Sequence, residues 1–131
     1  MENDFPKDLK YSKDYVWLKK ENDVVVLGVV KPGVEQVEEF VFVMLPEKEK
    51  QLQKGDVCIS LEAVKWSGEI TTPVSGKVVD VNMDVFNNPS LLNKDPYKNW
   101  LIKIAITDEK ELTQLMNANE ALLYYQEKLN A

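Results

Sequence analysis

The chain contains no histidine, no arginine and a single cysteine, Cys58, in 131 residues. Without imidazole there is no Ser-His triad, no histidine general base and no His-ligated metal. One thiol can form neither an internal disulfide nor a Cys-based zinc site. All 16 basic residues are lysine, so the planar guanidinium fork that clamps phosphates and carboxylates is missing. A net charge of −6 disfavours nucleic acid and anionic membrane as partners. No apolar run reaches the length of a membrane span. The N-terminal Met-Glu-Asn-Asp-Phe-Pro lacks the basic and apolar parts of a signal peptide. It therefore predicts a cytoplasmic protein, or one of an organelle matrix after loss of a transit peptide. An enzyme built from this sequence would work with carboxylate, lysine, tyrosine and serine alone. That shortage favours a carrier or a binding module.

What is present fits a small β protein. Hydrophobic residues make up 44% of the chain, and its length suits one domain spanning residues 1–131 with one core. Residues 1–10 read as a loosely held segment, apart from Phe5, Pro6 and Leu9. Tyr11 to Leu18 can form a strand, and Lys19 to Asp23 a charged turn. Val24 to Val30 is an unbroken β-branched run that fits a strand buried on both faces. Pro32 and Gly33 end it, and Val34 to Glu39 can make a short helical turn. Phe40 to Leu45 is a further strand, and Glu47 to Lys54 a solvated loop. Asn82 to Pro96, rich in Asn, Asp and Pro, predicts a long loop wrapped over the core through Leu91 and Leu92. Trp100 to Ile106 is the last strand.

The period then changes. Asp108 with Glu111, and Asn117 with Glu120, have the spacing of helix N-termini, so two short helices are expected over about residues 108–129. Turns every ten residues or so place a small sandwich or barrel in front of them.

The central stretch runs from Asp56 to Asn82. In Val57 to Ala63 the residues Val57, Ile59, Leu61 and Ala63 share one face; Cys58, Ser60, Glu62 and Val64 share the other, more polar one. Cys58 reads as a small packing residue rather than a nucleophile. Trp66, Ser67 and Gly68 make a turn, Glu69 to Thr72 returns as a strand, and Pro73 to Gly76 turns again into Lys77–Val81. Lys65 falls near the tip of the first hairpin. Taken alone it is one solvated charge among 16 lysines.

Glu62-Ala63-Val64-Lys65, followed by Ile70, Pro73, Val74, Ser75, Gly76 and Val78, resembles the lipoyl-lysine motif of the glycine cleavage system H protein family. Tyr11-Ser12-Lys13-Asp14-Tyr15-Val16-Trp17, Gly28, Val41-Phe42-Val43 and Leu45-Pro46 match that family in order. So do Asn82, Pro89, Asn93, Asp95-Pro96-Tyr97, Trp100, Glu111-Leu112 and Leu115-Met116. The similarity covers about residues 6–120. Each match is weak, and the ordered set is strong.

The resemblance implies a mainly β fold, a flattened barrel-sandwich hybrid of the biotinyl/lipoyl-carrier type with short C-terminal helices. It implies lipoic acid in amide linkage to Lys65, and a monomeric carrier with no catalysis of its own. The implied partners are a lipoate-attaching enzyme, glycine decarboxylase, aminomethyltransferase and dihydrolipoyl dehydrogenase. Glu62, Ala63, Val64, Trp66, Gly68 and Tyr15 become candidates for recognition by the attaching enzyme or for the environment of the arm. The sequence departs from the family pattern at several places. Tyr15 replaces a usual His, Ala63 a Ser beside the lysine, and Trp66-Ser67-Gly68 a stretch of small residues. The Lys-Trp-x-Gly form is similar to H-protein-like lipoate-binding proteins of sulfur oxidation. An alternative is therefore a carrier serving a heterodisulfide-reductase-like complex, or a lipoyl-relay donor.

Overall fold

The computed structural model describes residues 4–130, so the expectation of looseness at residues 1–3 lies outside the described residues. Its strands are β1 (Lys10–Tyr11), β2 (Val16–Glu21), β3 (Val24–Val29), β4 (Phe40–Met44), β5 (Gln51–Leu52), β6 (Val57–Ala63), β7 (Trp66–Thr71), β8 (Gly76–Val81) and β9 (Ile102–Ile106). They form two antiparallel sheets, one of six strands in the order β1-β2-β3-β9-β8-β5 and one of three in the order β4-β6-β7. The sheets face each other and do not close into a barrel. The fold is thus the expected mainly β sandwich.

β3 shows why the chain needs an unbroken apolar run there. Val25, Leu27 and Val29 enter the core between the sheets, with Val16, Leu61 and Ile104. Val26 and Val30 enter a second core behind the six-stranded sheet, with Phe5, Tyr11, Trp17, Met116 and Tyr125. Alternate side chains point to opposite faces, so a strand with a core on each side must be apolar throughout. Gly28 sits where a Cβ would lie 2.5 Å from the Trp17 ring, so only glycine lets that indole cross the strand.

The second core is closed by the chain's two ends. Phe5 and Leu9 are buried and pin the N-terminal segment. Helix α4 (Ala118–Asn130) supplies Ala121 and Tyr125. Its N-terminus is a reciprocal capping box: Asn117 Oδ1 accepts from the Glu120 N–H at 2.9 Å, and Glu120 Oε1 from the Asn117 N–H at 3.0 Å.

Several local expectations need correction. The strand expected over Tyr11 to Leu18 breaks at Ser12–Tyr15. There the Ser12 hydroxyl accepts from the Asp14 and Val16 N–H groups, and Tyr15 adopts φ 68°. Lys19 to Glu21 belong to β2, and the turn shrinks to Asn22-Asp23. The helix expected at Val34–Glu39 is α1 (Lys31–Glu35), which begins with Pro32 in its first turn. The long loop contains α2 (Met83–Asn87) and α3 (Leu91–Lys94), with Leu92 fully buried. The first C-terminal helix is a 3-10 turn, Glu109–Gln114. Asp108 caps it, but Glu111 turns away and accepts from the Ser75 N–H and hydroxyl at 2.7 and 2.9 Å.

Candidate functional site

β6 and β7 form the hairpin that carries Lys65. Their register pairs Ile59 with Ile70, Leu61 with Gly68, Glu62 with Ser67 and Ala63 with Trp66, leaving Val64-Lys65 as a two-residue loop. The turn is therefore tighter than expected. Trp66, Ser67 and Gly68 belong to β7 and not to the turn. Lys65 has φ 63°, and Val64 has no positive φ. A left-handed residue in a tight turn is a position where glycine is the usual choice. A lysine there carries a strain of about 1–2 kcal/mol. The tip is tied down from outside the hairpin, because the Val64 N–H donates to the Glu39 carbonyl at 3.2 Å. Lys65 itself is exposed, and no ion pair or hydrogen bond holds its ammonium among the described residues.

The side chains around Lys65 divide between two faces. Glu62 and Ser67 point outward. Ala63 is buried on the inner face, and Trp66 is paired with it. The Trp66 indole runs back over Gly68, where a Cβ would lie 2.5 Å from the ring. Trp66 and Gly68 are therefore one packing unit. A glycine two residues along the same face makes room for an indole that a larger residue would push out. The ring meets Phe40 edge-on, with centroids 6.3 Å apart, and stays 42% exposed.

Trp66 and Tyr15 both line a cleft of about 280 Å³. These two residues are 51 positions apart, and the fold brings them together. Phe40, Val37, Gly33, Leu61 and Ile70 complete an apolar lining, and Asp14, Gln36 and Glu69 give it polar groups. No lysine lines it. Tyr15 is held from behind: its N–H donates to the Tyr125 hydroxyl at 2.8 Å, and that hydroxyl donates to the Ser12 carbonyl at 2.5 Å. The Tyr15 hydroxyl accepts from Gln36 Nε2 at 3.3 Å. Lys128 of α4 places its ammonium 4.6 Å from the centre of the Tyr15 ring.

Glu62 and Val64 are outside this cleft, and Ala63 lies under the turn. Phe40, Gln36, Asp14 and Glu69, which also line the cleft, carry no mark in the sequence. No spacing rule could have found them, because they come from three segments that meet only in the folded chain.

Cys58 needs a further correction. A bulge between Val57 and Ile59 shifts the alternation, so Cys58 points into the core and Val57 is exposed. The thiol donates to the Ile70 carbonyl at 3.4 Å, and burial pushes its pKa up to about 12. A thiol so far from ionisation is a packing group, as expected.

Comparison with known proteins adds the following. The family model for the glycine cleavage H-protein matches residues 9–128. Glycine cleavage system H proteins from two strains of Staphylococcus epidermidis are each 39% identical over 116 residues, covering 88% of this chain and 92% of theirs. The crystal structure of a glycine cleavage system H protein from Mycobacterium marinum superposes with a TM-score of 0.84 at 27% identity. That match covers 97% of this chain and 100% of the other. None of these lends support to the sulfur-oxidation alternative. The likeness runs through sequence, fold and nearly the whole length: the chain belongs to the glycine cleavage H-protein family.

Proposed function

We propose that Lys65 carries lipoic acid as an amide and that the whole chain acts as one carrier domain of the glycine cleavage system. The observation that carries this reading is the placement of Lys65: a lysine with no ion-pair partner among the described residues, at a tight two-residue turn, beside a cleft lined by aromatic residues. A lysine held in a left-handed turn against its own preference is better explained by a function than by stability. The residues fit the group. The amine is reachable by an attaching enzyme, and acylation breaks no ion pair among the described residues. When attached, the lipoyl group supplies a dithiolane that accepts an aminomethyl cargo and is later reoxidised.

The chain's own residues position and shelter. The paired strands hold the turn still, so the arm swings from a fixed root. Trp66, Phe40 and Tyr15 offer an apolar wall that excludes water from a docked arm. Asp14 can accept a hydrogen bond from a protonated amine in the cleft. Val64 on the turn and Glu62 at the end of β6 are exposed beside Lys65 and offer a lipoate-attaching enzyme a grip, with Ala63 packed beneath them. The cargo then passes from glycine decarboxylase to aminomethyltransferase, and dihydrolipoyl dehydrogenase resets the arm. The protein contributes no catalysis of its own and works as a cytoplasmic monomer.

The test is intact mass after co-expression with a lipoate ligase. One lipoyl addition is expected on the wild type and none on Lys65→Arg; full modification of that variant would sink the proposal. The pathway is tested separately by glycine–bicarbonate exchange with glycine decarboxylase. Exchange is expected with the lipoylated chain, and its absence would refute the glycine cleavage role while leaving the attachment site standing.

A further inference from the structure

The three-stranded sheet is covered on one side only. Its inner face packs on the main core through Val43, Ile59, Leu61 and Ile70, whereas no layer of the described residues covers its outer face. On that outer side lie Phe42 and Met44 of the edge strand β4, 37% and 52% exposed, in register with Glu62 and Ser60 of β6. Helix α2 packs beside β4 and exposes Met83 and Phe86. Five large apolar side chains, with Val41 at the bulge of β4, are thus exposed along one edge of the sheet that carries Lys65. Exposed apolar side chains gathered in this way mark an interaction surface.

The charges on the segments that hold them are mostly of one sign. The segments that build this side, residues 38–45, 57–71 and 82–88, contain Glu38, Glu39, Glu62, Glu69 and Asp84. Their single lysine is Lys65. None of the five carboxylates has a lysine within ion-pair distance among the described residues. The six-stranded sheet instead carries Lys10, Lys19, Lys20, Lys77 and Lys103 on its strands. Together these three segments have a net charge of −4, which becomes −5 once Lys65 is an amide.

We infer that this side, with Phe42 and Met44 at its centre and Glu38, Glu39 and Glu62 around them, docks the enzymes that load and unload the arm. Those enzymes meet it with an apolar patch ringed by lysine or arginine. The inference rests on the lipoyl reading of Lys65 and adds the surface and the partner's chemistry. Acidic charge steers a basic partner to the root of the arm, and the apolar centre sets how long it stays. A second copy of the chain is disfavoured, because it would bring carboxylates against carboxylates.

The test uses the lipoylated chain, its mass confirmed, with binding kinetics measured against glycine decarboxylase, aminomethyltransferase and dihydrolipoyl dehydrogenase in turn. The double variant Phe42→Ser, Met44→Ser should bind at least one of them about 10-fold more weakly, through faster dissociation. The variant Glu38→Lys, Glu39→Lys should slow association with the same enzyme and flatten its dependence on salt. Leu123→Ser, at a residue 66% exposed on α4, should change neither. Wild-type binding of both double variants to all three enzymes would overturn the inference. So would equal losses from Leu123→Ser, faster association after the Glu-to-Lys changes, or a dimer of this chain that the Phe42→Ser, Met44→Ser variant abolishes. A chain that takes up no lipoyl group fails the earlier proposal instead, and its binding to the same enzymes still tests the surface.

Discussion

The two sheets share a core but not a role. The six-stranded sheet is packed on both sides, by the opposing sheet in front and by the chain's two ends behind. The three-stranded sheet is packed on one side and ends in the tight turn at Lys65. One sheet buries its strands twice over and carries five lysines on them. The other leaves apolar side chains in water and holds a lysine in a conformation it disfavours. Burial on both faces stabilises, whereas an uncovered face and a strained tip are features that stability alone would remove. On this reading the first sheet is a platform and the second presents the site.

The largest effects should come from the platform. Leu27, fully buried in β3, faces the core between the sheets. Leu27→Ala should cost about 2–5 kcal/mol of unfolding free energy, read from urea denaturation. Trp66→Ala, at the exposed wall of the cleft, should cost less than that while opening the cleft. If Trp66→Ala proved the more damaging of the two, the division between platform and presenting sheet would fail.

Next comes the link between the back layer and the cleft. Tyr125 is fully buried in the second core, yet its hydroxyl takes the N–H of Tyr15 at the cleft wall. Tyr125→Phe keeps the ring and leaves that N–H and the Ser12 carbonyl without their partner. A loss of about 1–3 kcal/mol is expected, measured by denaturant midpoint. Hydrogen exchange should quicken at the Tyr15 amide and stay unchanged at the β6–β7 turn. Equal loss of protection at both would mean that the two regions are one mechanical unit.

The same contrast explains what the sequence could reveal. The valine run of β3, the alternation in Ile59–Ala63 and the Asn117–Glu120 cap are local signals, and each appears in the structure where expected. Composition correctly treated Cys58 as a packing residue but put it on the wrong face, because a bulge adds one residue and leaves no mark on the alternation. The sequence puts the turn one step late, because Trp66-Ser67-Gly68 reads as turn chemistry, whereas in the structure that glycine serves the indole. Glu111 had the spacing of a capping box but found better donors at Ser75. The cleft was invisible for a different reason. Asp14, Gln36, Phe40 and Trp66 meet only through the packing of two sheets, and no one-dimensional pattern encodes that.

A smaller effect tests the shared core from the side of the presenting sheet. Burial raises the Cys58 thiol from an ordinary value of 9.0 to about 12 in the folded chain. The thiol thus stays protonated when folded but ionises when unfolded once the pH exceeds 9. Its contribution to stability is fully present below pH 9 and is lost as the pH rises toward 12. In that window the wild type should lose about 1.4 kcal/mol per pH unit more than Cys58→Ala does. Denaturation midpoints of both proteins at pH 8.5 and 10.5 would read the difference, using values on either side of the thiol's ordinary pKa. Parallel curves would show that the shoulder of β6 opens to water.

The smallest expected change concerns Lys65 itself, and its sign matters more than its size. At φ 63° a lysine suffers a Cβ clash that glycine avoids. Glycine gives part of this back, because the unfolded chain gains freedom that folding must remove. The balance for Lys65→Gly is a stabilisation of about 0.5–1 kcal/mol, measured as a shift in urea midpoint. Lys65→Arg keeps the side-chain class and the strain, so its midpoint should match the wild type. Both variants lose the amine that the proposed attachment needs. A gain in stability from Lys65→Gly would mean that this turn is tuned against the folding optimum, with the presenting sheet giving up stability at the residue that acts. A loss would mean that the lysine stem or its charge stabilises the turn by contacts that outweigh the strain, and the tip would then belong to the platform after all.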